Sequence, residues 1–234
     1  MERVNVQNID QKIGDVNNLN IKQINIEMKG YYINLSSRTD RNIHVNQQLQ
    51  FLGFEIERFE AIASSDGRIG CSLSHLAIIE KAKKDELPMV FICEDDIVFK
   101  NREVFKKHLG CFLKSVDNWD VLLLGGNVVL PSSFTTPSLM NPYSMRVSHC
   151  QTTTGYIVKE HYYNTLINNI RDGIKLLLQF PENHFSYSID KNWLKLQKRD
   201  LWFVVYPLCV TQKKGYSDIE KKETDNERRL LTFR

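Results

Sequence analysis

The sequence predicts an α/β fold with a mostly parallel central sheet flanked by helices. Three observations predict it. Short, almost wholly apolar runs recur: GYYINL at 30–35, MVFIC at 89–93 and DVLLL at 120–124. Strands covered on both faces of a parallel sheet read this way. Between the runs lie stretches with apolar residues at helical spacing. The two patterns alternate along the chain, as βαβ units do. The chain has 234 residues, 42% hydrophobic and 25% charged, enough for one large domain with its own core.

Residues 1–28 are rich in Asn, Gln and Ile and carry no visible chemistry, so they are set apart as an N-terminal extension. GYYINL is the first strand and SSRTDR (36–41) its polar exit, with Ser37 or Thr39 placed to cap the next helix. That helix carries Ile43, Gln47, Gln50 and Phe51 and stops near Gly53. FEIERFEAI (54–62) alternates at Phe54 and Ile56 and reads as a second strand. Residues 67–86 form a helix with an apolar stripe of Leu73, Leu76, Ala77 and Ile79 and lysines at its end, where the helix dipole favours them. After Pro88, MVFIC is a central strand ending in Glu94-Asp95-Asp96.

Asn101 starts a helix with Val104, Phe105, Leu109, Phe112, Leu113 and Val116 on one side, and DVLLL exits through Gly125-Gly126. Residues 131–146 hold three prolines and read as a long loop. TGYIVK (154–159) is a strand, and 160–172 a helix with Tyr163, Leu166, Ile167 and Ile170 inward, ended by Gly173. DKNWLKL (190–196) is a helical piece and LWFVVYP (201–207) the last strand, followed by polar sequence. Tyr156, Tyr162, Tyr163, Trp193 and Trp202 read as core.

Composition excludes several classes. The net charge is only +3, from 31 basic and 28 acidic residues, and the basic residues are interspersed with acids, so no nucleic-acid partner is expected. Five scattered cysteines without a CxxC pair argue for reduced thiols rather than a disulfide framework. The N-terminus shows no apolar stretch behind a basic start, and no apolar run approaches a membrane span. A cytoplasmic protein that does not span a membrane is expected.

In parallel α/β sheets ligands bind beyond the carboxyl ends of the strands. The first strand exits through Asn34, Arg38 and Arg41. The two arginines fit a phosphate clamp, or are solvated at a helix start. Glu94, Asp95 and Asp96 repel one another unless a cation or solvent offsets the charge. In extended chain Glu94 and Asp96 share a face, and two hard oxygen donors suit Mg²⁺ or Mn²⁺. The alternative is a solvated turn with helix-capping acids. GCSLSH (70–75) puts Cys71 and His75 one helical turn apart, with Ser72 and Ser74 between. It reads as a Cys–His nucleophile pair, a helix start approaching a diphosphate, or a tightly packed turn. Asp190 is either an N-cap or a general base.

YYINLSSRTDR (31–41), FEAI (59–62), GRIGCSLSHLAII (67–79), MVFICEDDIVF (89–99), WDVLLLGG (119–126), TTTGYIVKE (152–160), IDKNWL (189–194) and YPLCVTQKKGYSDIE (206–220) occur in one order. Together they resemble glycosyltransferase family 25, which includes lipopolysaccharide-type and procollagen galactosyltransferases. The resemblance covers roughly residues 30–222 and implies a GT-A-like nucleotide-sugar-binding fold. The glycosyltransferase domain is accordingly placed at 29–222 and a polar tail at 223–234. Further implied are a UDP-hexose donor carrying galactose or glucose, Mn²⁺ or Mg²⁺, and an inverting transfer. The acceptor is a hydroxyl of a glycan, lipid-linked saccharide or protein. Carried onto this chain, Glu94, Asp96 and Asp218 are the metal ligands. Asn34, Arg38, Arg41, Ser74, His75, Glu94 and Asp95 bind the donor, and Asp190 is the base. Ser36-Ser37 depart from the more usual charged pair. A non-catalytic nucleotide-sugar or glycan-binding module, or a metal-dependent phosphohydrolase, would use the same acids.

Overall fold

The computed structural model describes residues 28–130 and 140–233. The N-terminal extension before Met28 and most of the long loop lie outside the described residues. In chain order the elements are β1 (Lys29–Asn34), α1 (Thr39–Leu49), β2 (Ile56–Glu60), α2 (Gly67–Lys84), β3 (Met89–Glu94), β4 (Ile97–Phe99), α3 (Arg102–Ser115), β5 (Val121–Leu123) and β6 (Asn127–Val128). There follow β7 (Met140–Asn141), β8 (Ser144–Arg146), β9 (Cys150–Gln151), β10 (Gly155–Lys159), α4 (Tyr163–Gln179), α5 (His184–Tyr187), α6 (Ile189–Asn192) and α7 (Leu194–Arg199). The chain ends with β11 (Trp202–Val205), β12 (Val210–Gln212), β13 (Gly215–Ser217), β14 (Lys222–Thr224) and α8 (Glu227–Leu231).

Eight strands form the central sheet in the order β2-β1-β3-β10-β5-β11-β8-β7. β1 pairs parallel with β2 and β3, and β5 with β11, while β10 and β8 are the reversed strands. The expected α/β architecture, with most strands pointing one way, is therefore the one found. β4–β12, β6–β9 and β13–β14 add short antiparallel pairs.

Because strand side chains alternate, each apolar run feeds two cores. Tyr31, Ile33, Val90, Ile92, Val121, Leu123, Tyr156 and Val158 pack with α2 and α4 on one face. Tyr32, Phe91, Cys93, Leu122, Leu124 and Ile157 pack with α1 and α3 on the other. That is a helix–sheet–helix sandwich, and it explains why the central strands had to be apolar throughout. Tyr156, Tyr162, Tyr163, Trp193 and Trp202 are all buried core, as expected. All five cysteines are free thiols.

Several details differ from the sequence reading. Neither Ser37 nor Thr39 caps α1; Arg38 holds that position without a side-chain cap bond. α1 buries Val45 and Leu49 and leaves Ile43 exposed. α2 buries Ile78 and Ala82 rather than Leu73 and Ala77. Gly173 does not end α4. It lies inside the helix, where a Cβ would come within 3.0 Å of Tyr187 O and Asn192 Nδ2, so its small size lets α5 and α6 pack against α4. LWFVVYP is not the last strand. Three short strands and α8 follow, and the polar tail includes the buried Leu230. Among the described residues no helix is long and apolar enough to cross a membrane.

Candidate active site

The carboxyl ends of β1, β3 and β12 meet at the acidic turn. β3 runs through Glu94, and Asp95-Asp96 turn the chain into β4. The turn ends the strand alternation, so the three acids divide differently from the extended-chain expectation. Asp95 and Asp96 both face Arg41, and Glu94 faces α2.

Asp95 is held most tightly. Asn34 Nδ2 donates to its Oδ2 (2.7 Å) and Arg41 Nη1 to its Oδ1 (3.0 Å). Arg41 Nη1 is also 3.6 Å from Asp96 Oδ2, and Nη2 donates to Tyr216 O (2.6 Å). Arg38 donates to Asp40 and to Asp218 (2.5 Å). Both arginines thus tie the β13 segment to the exit of β1, and the carboxylate of Asp218 engages Arg38.

Glu94 lies against α2 and the residues before β10. Thr153 Oγ1 donates to its Oε1 (2.6 Å) and Gln212 Nε2 to its Oε2 (3.3 Å). Cys71 Sγ donates to Oε1 at 3.7 Å, and His75 Nε2 lies 3.7 Å away. Burial works to raise the Glu94 carboxyl, but His75, the Thr153 hydrogen bond and Arg41 outweigh it and hold it below its ordinary value. Tyr156 OH fixes the other nitrogen of His75 (3.0 Å). Burial, with Glu94 beside it, pushes the Cys71 thiol well up, which removes the thiolate that a Cys–His nucleophile needs. Ser74 is fully buried, its hydroxyl donating to Gly70 O and accepting from Ile62 N–H, so nothing of it remains for a ligand.

A divalent cation fits this acid group. Asp96 Oδ1 is buried without a hydrogen-bond partner. Burial and the Glu94 carboxylate push the Asp96 carboxyl up to about 8. Cys71, His75 and Glu94 also place three potential ligand atoms within 4.8 Å of one another. Mg²⁺ and Mn²⁺ favour hard oxygen donors, which Asp96 and Glu94 supply although one faces Arg41 and the other α2, and the protonated thiol is a poor ligand for either.

Asp190 lies in the first turn of the short helix α6. It does not act as an N-cap, because Ser188 holds that position. Thr152 N–H donates to Asp190 Oδ2 (3.2 Å), and Lys191 Nζ lies 3.7 Å from the same oxygen. Burial raises the Asp190 carboxyl, and the charge of Glu94 adds to the rise. Thr152 itself has φ 86°, a costly region for a β-branched residue. Its strained backbone lies between Gln151 and the Thr153 that binds Glu94, so one short segment links the acid turn to Asp190. The sequence reading assigned no role to Gln151, Thr152, Thr153, Lys191 or Arg229. The backbone signal was Gly126: a Cβ there would meet Gln151 O at 2.8 Å, so its absence lets β9 approach.

Acids and arginines gather at strand ends of a mostly parallel sheet, the edge at which ligands bind in such folds. Part of the sequence is similar to a known family. Residues 64–177 match glycosyltransferase family 25 (LPS biosynthesis protein). The lipooligosaccharide biosynthesis protein lic2B of Haemophilus influenzae is 21% identical over 230 residues, covering 83% of this chain and 86% of the relative. The chain is thus similar in sequence to glycosyltransferase family 25, and its mixed α/β fold is the class expected from the sequence. Among solved structures, a glycosyltransferase involved in glycosylation of the major capsid of PBCV-1 is 12% identical with TM-score 0.44, covering 77% of this chain and 93% of that one. A mannose-1-phosphate geranyltransferase from Thermus thermophilus is 9% identical with TM-score 0.44, covering 77% and 74%. Likeness at that level says nothing of what this chain acts on.

Proposed function

We propose that this chain is a glycosyltransferase that moves a hexose, galactose or glucose, from a UDP-sugar to an acceptor hydroxyl with inversion, assisted by Mn²⁺ or Mg²⁺. The observation that carries the reading is the unpartnered buried Asp96 Oδ1, beside Glu94 and Arg41, with the carboxyl of Asp190 tied to the same segment that holds Glu94. A cation held by Asp96 and Glu94 would supply positive charge to the departing diphosphate. Asp218 joins these ligands only by exchanging Arg38 for the ion.

The chain's own groups divide the work. Arg38 and Arg41 place guanidinium donors at the donor edge, and Asn34 and Asp95 fix the position of Arg41. His75, fixed by Tyr156, positions Glu94. Asp190 takes the acceptor hydroxyl proton as that oxygen attacks the anomeric carbon opposite the leaving group. Its raised carboxyl matches that task, because a more basic carboxylate accepts a proton more readily. The role of the curated relative in lipooligosaccharide biosynthesis favours a lipid-linked saccharide over a free glycan or a protein hydroxyl as acceptor.

Thermal unfolding with UDP tests this. UDP should raise the midpoint, and saturating UDP with Mn²⁺ should raise it by about 5 °C. Asp96→Asn should remove the Mn²⁺-dependent part. Absence of any shift and of binding heat overturns the reading. Release of sugar phosphate instead of UDP from the donor favours a phosphohydrolase.

A further inference from the structure

The charges around Asp190 are not balanced. Lys191 Nζ and Arg229 Nη2 both donate to one neutral oxygen, Gln151 Oε1, and both lie within 3.5 Å of it. With the Asn127 amide turned so that its oxygen faces Arg229, that oxygen accepts from Nε (3.3 Å) and Nη2 (3.2 Å). Arg229 therefore binds two amides, and among the described residues it has no acidic partner. Lys198 has none either, and the charges of Lys191 and Lys198 add to burial in lowering His149, whose Nε2 meets Gln151 Nε2 at 2.9 Å. The acid facing this group is Asp190, 3.7 Å from Lys191. Two like charges gathered on one amide oxygen repel, and an anion between them turns that cost into attraction.

We propose that Gln151, Lys191 and Arg229 form an anion subsite beside Asp190, and that the acceptor carries a phosphate or carboxylate near the hydroxyl that is glycosylated. Lys191 and Arg229 grip that group, and Gln151 holds both cations in place. The anion subsite stands on the geometry alone; its assignment to the acceptor rests on the transferase reading above. α8 thereby becomes part of the site, since it supplies Arg229.

Calorimetry on protein saturated with UDP and Mn²⁺ tests this, so that donor phosphates already occupy their own site. The probes are glucose 6-phosphate, glucuronate and glucose. One or both charged probes should bind about tenfold tighter than glucose, and Lys191→Gln or Arg229→Gln should each remove most of that advantage. Arg229→Lys should keep part of it, and salt at about 0.3 M should shrink it. The better of the two charged probes tells phosphate from carboxylate. Charged probes that bind no better than glucose overturn the proposal, as does an advantage that survives in both glutamine variants. If UDP does not bind, the donor reading fails, and the same titrations without UDP still decide the subsite. UDP binding retained by the variants shows that they are folded.

Discussion

The two ends of the site carry similar cations in opposite surroundings. At the exit of β1, Arg41 is matched by Asp95 and Asp96, and Arg38 by Asp40 and Asp218. Beside Asp190, Lys191 and Arg229 share neutral amides, with one carboxylate close to them. At the first end each arginine is matched by carboxylates, and the deficit is of positive charge, at Asp96. The second has positive charge to spare. A ligand that is anionic where it meets Lys191 and Arg229, and brings a cation to Asp96, satisfies both ends at once. Under the proposals above, the arginines at β1 organise the site, whereas the cations at Asp190 select what enters it.

The largest effect expected is on rate. Asp190→Asn should cost about 10²- to 10⁴-fold in transfer while leaving the UDP-induced thermal shift intact. Steady-state kinetics beside the shift assay check this, and near-normal turnover would remove Asp190 as the base. The pH profile sharpens the point. A base must be deprotonated, and burial holds Asp190 above the ordinary carboxylate value, so activity should rise with pH through that raised value and level off beyond it. Lys191 opposes the rise. Lys191→Gln should therefore move the acid limb to higher pH, and an unmoved limb would mean that another group titrates.

How far the sequence reveals this depends on the range of the forces involved. The central sheet was legible because each strand must be apolar on both faces, and that requirement is written in consecutive residues. The acids at 94–96 stood out because charge at the tip of an apolar strand needs a cation, a cationic side chain or solvent to offset it, and the structure sets Arg41 beside two of them. The face of α1 was not legible. Its orientation is set by Tyr32, which donates to Asn42 Oδ1 (2.8 Å) and accepts from Asn46 (3.1 Å), so the polar side of the helix is anchored by a contact from β1. Gly173 looked like a helix end because glycine favours that position, while here it serves close packing between helices. The Lys191–Gln151–Arg229 group joins three distant segments through neutral amides, and no spacing rule encodes that.

Breaking the matched end should cost stability, not selectivity. Arg41→Ala leaves Asp95 nearly buried and half-satisfied, at a cost of about 2 kcal/mol. Arg41→Lys should recover only part, because an ammonium cannot reproduce the planar fork that spans Asp95 and Tyr216 O. Arg38→Ala should cost less than about 1 kcal/mol, since its partners Asp40 and Asp218 are well exposed. Urea unfolding of the three variants checks the order. Equal losses for Arg38 and Arg41 would mean that the two arginines are alike after all.

A further small effect concerns how α2 is held in place, since α2 carries Cys71 and His75 to Glu94. Asp66 caps it, accepting from Arg68 N–H (2.9 Å), while the Arg68 side chain pairs with both carboxylate oxygens. The Arg68 hydrogen bond is the main reason the Asp66 carboxyl is held below its ordinary value, against a smaller opposing effect of burial. Asp66→Ala should cost about 1 kcal/mol. Asp66→Asn should cost less at neutral pH, because an amide oxygen still caps the helix but brings no charge to Arg68. The sign of the pH dependence follows from the depressed value. The charged contribution is complete above the unfolded carboxylate value of about 4 and is lost as pH falls toward the folded one. Wild type and Asp66→Asn should therefore converge in stability in acid. A constant gap across that range would show that Asp66 acts through shape alone, and that charge at this end of α2 contributes nothing to placing Cys71 and His75.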